Sequence, residues 1–235
     1  MMNRLQLARR IDHTVLKPES VESDIRAAVA AALEYRFAAV CVNARWLGQV
    51  RTMLDAGQRN RIAAADTRVA ACAVVGFPFG TQDSSVKAFE AVQCAKAGAD
   101  EIDMVIWIPA LLSGDIDAAR TDVREVAAAV KTAVPHVLLK VILETAVLTE
   151  SQIAMGCRAA MEGGADFVKT STGFHPAGGA TVQAVRWLKQ YCGNLRVKAA
   201  GGIRDLAAAQ AMLQAGADRI GCSTSVAILN QVPQE

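Results

Sequence analysis

Short β-branched apolar runs alternate with longer Ala-rich stretches along the whole chain, and few architectures accept that order. The runs Ile11–Thr14, Ala38–Val42, Val69–Val75, Glu101–Ile106, Val137–Leu143, Asp166–Thr170, Arg196–Ala199 and Arg219–Gly221 read as strands. Helical periodicity fills the intervals at Val21–Tyr35, Ala44–Asp55, Ser84–Ala97, Ile116–Val134, Thr149–Glu162, Ala180–Cys192 and Leu206–Gln214, with a final helix from Ser223. Strands that alternate with helices across short connections pair in parallel through right-handed crossovers. Eight such units close into a (β/α)8 barrel, and 235 residues suit a single domain of that kind over 1–235, since such barrels run to about 250 residues. An open doubly wound sheet ordinarily begins on a GxGxxG turn, which this sequence lacks. Three phrases, Ala97–Asp100, Gly163–Asp166 and Ala215–Asp218, repeat a Gly-Ala-Asp ending just before a strand, with glycine where a helix must stop.

Composition narrows the function classes. A formal charge of +2 argues against a nucleic-acid partner, and no apolar run approaches the roughly 18 residues of a membrane span. The opening MMNRLQLARR has no apolar core of a secretory signal, so a cytoplasmic protein is expected. Six scattered cysteines without a CxxC pair read as free thiols, and three isolated histidines offer no metal motif.

Strand phase then locates the chemistry. The side of a barrel strand that faces the helices must be apolar, so the other side lines the interior. That rule turns Glu101, Asp103, Lys140, Glu144, Lys169, Arg196 and Lys198 inward, together with Phe167, Ser171 and Ile142. Lys140, Glu101 and Arg196 read as an ion-pair network filling the lower barrel; Glu144 reads as a strand-end carboxylate able to orient a lysine. Lys169, Lys198 and Asp103 read as catalytic, because barrel chemistry occupies the C-terminal ends of the strands. Two ammonium groups about 6 Å apart, at an effective dielectric near 20, repel by roughly 2.8 kcal/mol, or about two pKa units. Burial acts in the same direction, so an inward lysine pair can supply one neutral amine, while Asp103 keeps the other charged and relays protons. Glycines and hydroxyls after the last strands (Thr170, Thr172, Gly173, Gly201, Gly202, Gly221 and Ser223) read as a phosphate-binding loop set at helix N-termini.

With these residues assembled, the sequence resembles the deoxyribose-phosphate aldolases, a family of class I aldolases. The matching segments run in order from Ile11-Asp-His-Thr-Val-Leu-Lys-Pro through Val40-Cys-Val-Asn, Val75-Gly-Phe-Pro-Phe-Gly, Gly98-Ala-Asp-Glu-Ile-Asp-Met-Val-Ile and Lys140-Val-Ile-Leu-Glu-Thr. They continue with Phe167-Val-Lys-Thr-Ser-Thr-Gly-Phe, Val197-Lys-Ala-Ala-Gly-Gly-Ile-Arg and Arg219-Ile-Gly-Cys-Ser. The resemblance implies reversible cleavage of 2-deoxy-D-ribose 5-phosphate to acetaldehyde and D-glyceraldehyde 3-phosphate, in deoxynucleoside catabolism. It implies Lys169 as the imine-forming lysine, Lys198 as its perturber, Asp103 as the proton shuttle, no metal or organic cofactor, and a homodimer or homotetramer. Ser223-Thr224 stands where the family often has two serines. Two other readings compete: a different phosphosugar barrel enzyme, such as another class I aldolase or an isomerase, and a phosphosugar-binding protein without catalysis.

Overall fold

The repeated Gly-Ala-Asp phrases explain how the strands are set in register. In the computed structural model of the chain, which describes residues 2–59 and 68–233, Gly98, Gly164 and Gly216 all take left-handed φ (97°, 88° and 112°) and end their helices. The aspartate that follows then grips one residue of the preceding strand from both sides. Asp100 donates its N–H to the Ala71 carbonyl and its carboxylate accepts the Ala71 N–H. Asp166 does the same to Leu139, and Asp218 to Val197. Sequence reading found the glycines; the aspartate clamp is the second half of the device.

The strands so aligned are β1 (Ile11–Val15), β2 (Ala39–Asn43), β3 (Ala70–Val75), β4 (Glu101–Val105), β5 (Leu138–Ile142), β6 (Phe167–Lys169), β7 (Arg196–Ala200) and β8 (Arg219–Cys222). They pair in parallel in chain order, and β8 returns to β1, closing the barrel. Around them lie α2 (Glu22–Tyr35), α3 (Leu47–Gln58), α4 (Ser84–Lys96), α6 (Ile116–Ala133), α7 (Glu150–Glu162), α8 (Val182–Tyr191) and α9 (Leu206–Gln214). The expected elements are all present, with ends moved by at most three residues. Two short helices were not anticipated: α1 (Arg4–Ala8) and α5 (Ile108–Ser113); the last helix, α10 (Ser225–Asn230), starts two residues later than expected. No helix among the described residues is long and apolar enough to cross a membrane.

The outward strand face and the inner helix faces form one continuous core that includes Ile11, Val40, Ile102, Leu139, Val141, Val168, Val197 and Ile220. A smaller apolar group, Ala39, Cys41, Cys72 and Val74 with Leu16, lines the interior on the β2–β3 side. All six cysteines are free and buried.

One buried ion pair stands apart from the barrel interior. Lys87 of α4 meets Asp122 of α6 at 2.6 Å, with both side chains at most 2% exposed. Asp122 also accepts hydrogen bonds from Ser84 Oγ and the Trp107 N–H, tying α4, α6 and the β4–α5 connection together. Burial pushes the Lys87 ammonium below the ordinary lysine value, and Asp122 opposes that shift. Asp122→Ala strands a buried cation and is expected to destabilise the fold by about 3–5 kcal/mol. Urea denaturation checks this: the double variant Asp122→Ala with Lys87→Met is expected to lose less than Asp122→Ala alone. Equal losses would show that the pair is not the source of the effect.

Candidate active site

Asp103, midway along β4, is the hub of the barrel interior. Its Oδ1 accepts from Lys140 Nζ at 2.7 Å, while Oδ2 accepts from both Lys169 Nζ (2.8 Å) and Lys198 Nζ (2.7 Å). Strand register produces this convergence, since Asp103 pairs with Lys140 across β4–β5 and Lys169 with Lys198 across β6–β7. The lysine pair expected from strand phase therefore exists, with both nitrogens on one carboxylate oxygen. The two nitrogens share that oxygen at 2.8 and 2.7 Å, so they stand somewhat nearer than the roughly 6 Å expected, with Asp103 screening their repulsion.

Two members of the cluster escaped sequence reading. Asp12 of β1 approaches Lys198 Nζ at 2.5 Å and accepts a hydrogen bond from Arg219 of β8. Arg219 also reaches Glu101 at 2.9 Å, and Glu101 meets Lys140 at 2.7 Å. The phase rule applied to β1 and β8 would have found both, because Ile11 and Ile220 lie in the outer core and so turn Asp12 and Arg219 inward. Arg196 is a correction in the other direction. It is exposed and stacks on the Phe167 ring, 4.0 Å from its centroid, so it belongs to the lower rim and not to the charge cluster.

Four cations (Lys140, Lys169, Lys198, Arg219) thus face three carboxylates (Asp12, Glu101, Asp103). Burial opposes the charge on Lys198, but Asp103 and Asp12 more than offset it and hold its pKa well above the ordinary lysine value. Burial likewise opposes the charge on Asp103, and its three lysines hold that carboxyl far below the usual range. Among the described residues, Lys169 has the thinnest pairing, meeting only the Asp103 oxygen that Lys198 also uses. Cys41 and Cys72 stand close to Asp103, with ligand atoms of the three within 4.8 Å of one another. The carboxylate there is already occupied by three ammonium groups, and Lys140 also donates to Cys72 Sγ at 3.4 Å.

The loops above the cluster depart from the expected phosphate set in several places. Thr170 is fully buried and its hydroxyl is consumed by Ala200, donating to the carbonyl and accepting from the N–H, both at 3.0 Å. It binds β6 to β7 and has no free donor for a ligand. Thr172 donates its hydroxyl to Glu144 at 2.5 Å. Glu144 does not touch a lysine. Its backbone is left-handed (φ 59°), at a cost on the order of 1–3 kcal/mol for a residue other than glycine. Gly221 faces Lys198: a Cβ there would lie 3.0 Å from Lys198 Cε, so the glycine makes room for the lysine stem. Helix α9 begins four residues beyond Gly202, and its first turn is already capped by Asp205, which accepts the Ala208 N–H at 2.8 Å. The N-terminus of α9 is thus partly taken up, whereas α10, directly after Ser223 and Thr224, has no side-chain cap.

What remains is a cradle of loop backbone. Gly173, Gly201 and Gly202 have φ of 82°, 93° and 78°, which L side chains rarely adopt. A Cβ on Gly201 would lie 3.2 Å from the Gly173 Cα, so the β6 and β7 loops touch through their glycines. Among the described residues, the N–H groups of Gly173, Gly201, Gly202 and Ser223 find no protein acceptor. Ser171, inward on the same loop, has a buried hydroxyl without a partner.

Comparison with known proteins points the same way. A family profile described as DeoC/LacD family aldolase matches residues 7–231. A deoxyribose-phosphate aldolase of Mycobacterium tuberculosis is 51% identical over 232 residues, covering 97% of this chain and 96% of the relative. One from Thermoanaerobacter sp. is 44% identical over 228 residues, covering 97% of each. The solved tetrameric deoxyribose phosphate aldolase of Aeropyrum pernix superposes with a TM-score of 0.86 at 30% identity, covering 98% of this chain and 92% of that one.

Proposed function

The chain belongs to the DeoC/LacD aldolase family, and from that premise we propose that Lys169 is the amine through which it works. The reaction is the reversible aldol cleavage of 2-deoxy-D-ribose 5-phosphate to D-glyceraldehyde 3-phosphate and acetaldehyde. In the proposed course, neutral Lys169 adds to the C1 aldehyde of the open-chain sugar, and loss of water gives a protonated imine. A base takes the C3 hydroxyl proton and the C2–C3 bond breaks. Its electron pair moves into the imine to form an enamine, and glyceraldehyde 3-phosphate leaves. Protonation of the enamine at C2 and addition of water release acetaldehyde and the free amine.

The observation that carries this reading is the shared Asp103 oxygen. With four cations against three carboxylates, releasing one proton balances the cluster, and Lys169 is the cation with the least to lose. Lys198, doubly held by Asp12 and Asp103, keeps its charge and stands beside the reacting nitrogen. Asp103 touches both amines and so can pass a proton between them. The apolar and thiol wall of Ala39, Cys41, Cys72 and Val74 keeps the interior water-poor, which strengthens each of these interactions. The unengaged N–H groups of Gly173, Gly201, Gly202 and Ser223 would receive the phosphate. We read the protein as a cytoplasmic homo-oligomer, a dimer or a tetramer; the tetramer of the Aeropyrum relative supports the assembly.

Borohydride reduction in the presence of acetaldehyde, followed by peptide mass spectrometry, tests the assignment. A reduced two-carbon adduct on Lys169 is expected. An adduct on a different lysine, or none, would overturn it.

A further inference from the structure

Glu144 forms no ion pair among the described residues, although its residue is only 1% exposed. We propose that it is a positioning residue for phosphate recognition, holding the Thr172–Gly173 loop in the form that accepts the substrate's phosphate. The inference rests on the phosphate cradle put forward under Proposed function.

A buried carboxyl group without a cation must find its hydrogen bonds among neighbouring donors. Here all of them come from one residue. The Thr172 N–H lies 3.3 Å from both carboxylate oxygens, and its hydroxyl donates to Oε2 at 2.5 Å. The same hydroxyl oxygen accepts the Phe174 N–H at 3.1 Å, so Gly173 is bracketed by two anchored neighbours and held at φ 82°. Gly173 in turn backs onto Gly201, whose carbonyl accepts the Ala180 N–H at 3.0 Å. Gly179 packs there too; a Cβ on it would sit 2.3 Å from the Gly201 oxygen. One carboxylate on the β5 side therefore fixes the β6 loop, and through it the β7 loop.

The left-handed backbone of Glu144 fits this role. A non-glycine residue at positive φ persists where its contacts over-determine it, and the Thr172 hydrogen bonds are such contacts. The carboxylate meets Thr172 and not Lys169, which distinguishes positioning from proton transfer.

Steady-state kinetics on 2-deoxy-D-ribose 5-phosphate and on unphosphorylated 2-deoxy-D-ribose separate the possibilities. Glu144→Ala is expected to raise KM for the phosphorylated sugar at least about tenfold, the scale of a lost charge-assisted hydrogen bond. Its kcat should move much less, and kcat/KM for the unphosphorylated sugar should stay within about threefold. Glu144→Gln, which keeps an acceptor for the Thr172 hydroxyl, should recover most of the loss. If Glu144→Ala does not fold, Thr172→Val, which removes the hydroxyl contact and keeps the Thr172 N–H contacts, is expected to raise KM for the phosphorylated sugar by a smaller factor. Equal losses on both sugars, or a fall in kcat alone, would overturn the proposal. A parent enzyme that turned over both sugars alike would sink the phosphate cradle itself, and this inference with it.

Discussion

Lys169→Ala is expected to lower kcat by about four orders of magnitude or more while the barrel remains folded. The chemical half of that expectation follows from covalent catalysis: without an amine there is no imine, and without the imine the C2–C3 electron pair has no sink. The structural half follows from the charge count. Removing Lys169 leaves three cations facing three carboxylates, and Asp103 keeps Lys140 on one oxygen and Lys198 on the other. No buried charge is orphaned, which is the usual cause of severe loss when a buried pair is broken. The urea midpoint should therefore stay near that of the parent, less only the packing of the lysine stem. Lys169→Arg should be equally inactive, because a guanidinium remains protonated and cannot add to an aldehyde. Activity above a trace in either variant, or loss of the acetaldehyde adduct together with loss of the fold, would defeat the assigned role.

The barrel and the inward lysines were legible because strand alternation and helical periodicity alternate along the chain. Alternation in Val137–Glu144 and in Phe167–Ser171 puts valines and leucines on the helix side, which forces Lys140 and Lys169 inward. The same rule failed for Arg196 because the strand end lies at the open lower rim, where a long side chain can leave the interior and lie on Phe167. Asp12 and Arg219 obey the same rule through Ile11 and Ile220, on the first and last strands, which only barrel closure brings side by side. Hydroxyl roles were the least legible. Thr170, Thr172 and Ser171 are consecutive and chemically alike, yet one stitches two strands, one is held by Glu144, and one is left without a partner. Only the three-dimensional position of the acceptors separates them, and those acceptors come from other strands.

Lys198→Leu tests the electrostatic account, and the sign of its effect follows from the cluster. Lys198 is held charged: its folded pKa lies above the ordinary lysine value, so its contribution to stability is complete below about pH 10.4 and is lost only as pH rises through the folded value. Removing it therefore costs stability across the working range, since Asp12 loses its closest lysine and keeps Arg219. For catalysis, three cations then face three carboxylates, and Asp103 Oδ2 serves Lys169 alone. The neighbouring charge that favoured proton release is gone. With that ammonium gone and the shared Asp103 oxygen left to Lys169, the acid limb of kcat/KM should move upward. At neutral pH, kcat/KM should fall, and part of it should return as the pH is raised. Lys140→Met offers the contrast. Lys140 bonds the other Asp103 oxygen and also meets Glu101, so its loss should cost stability while shifting the limb less. A profile for Lys198→Leu that keeps the parental limb, whatever its height, would mean that the neighbouring ammonium does not set the protonation of the reacting amine.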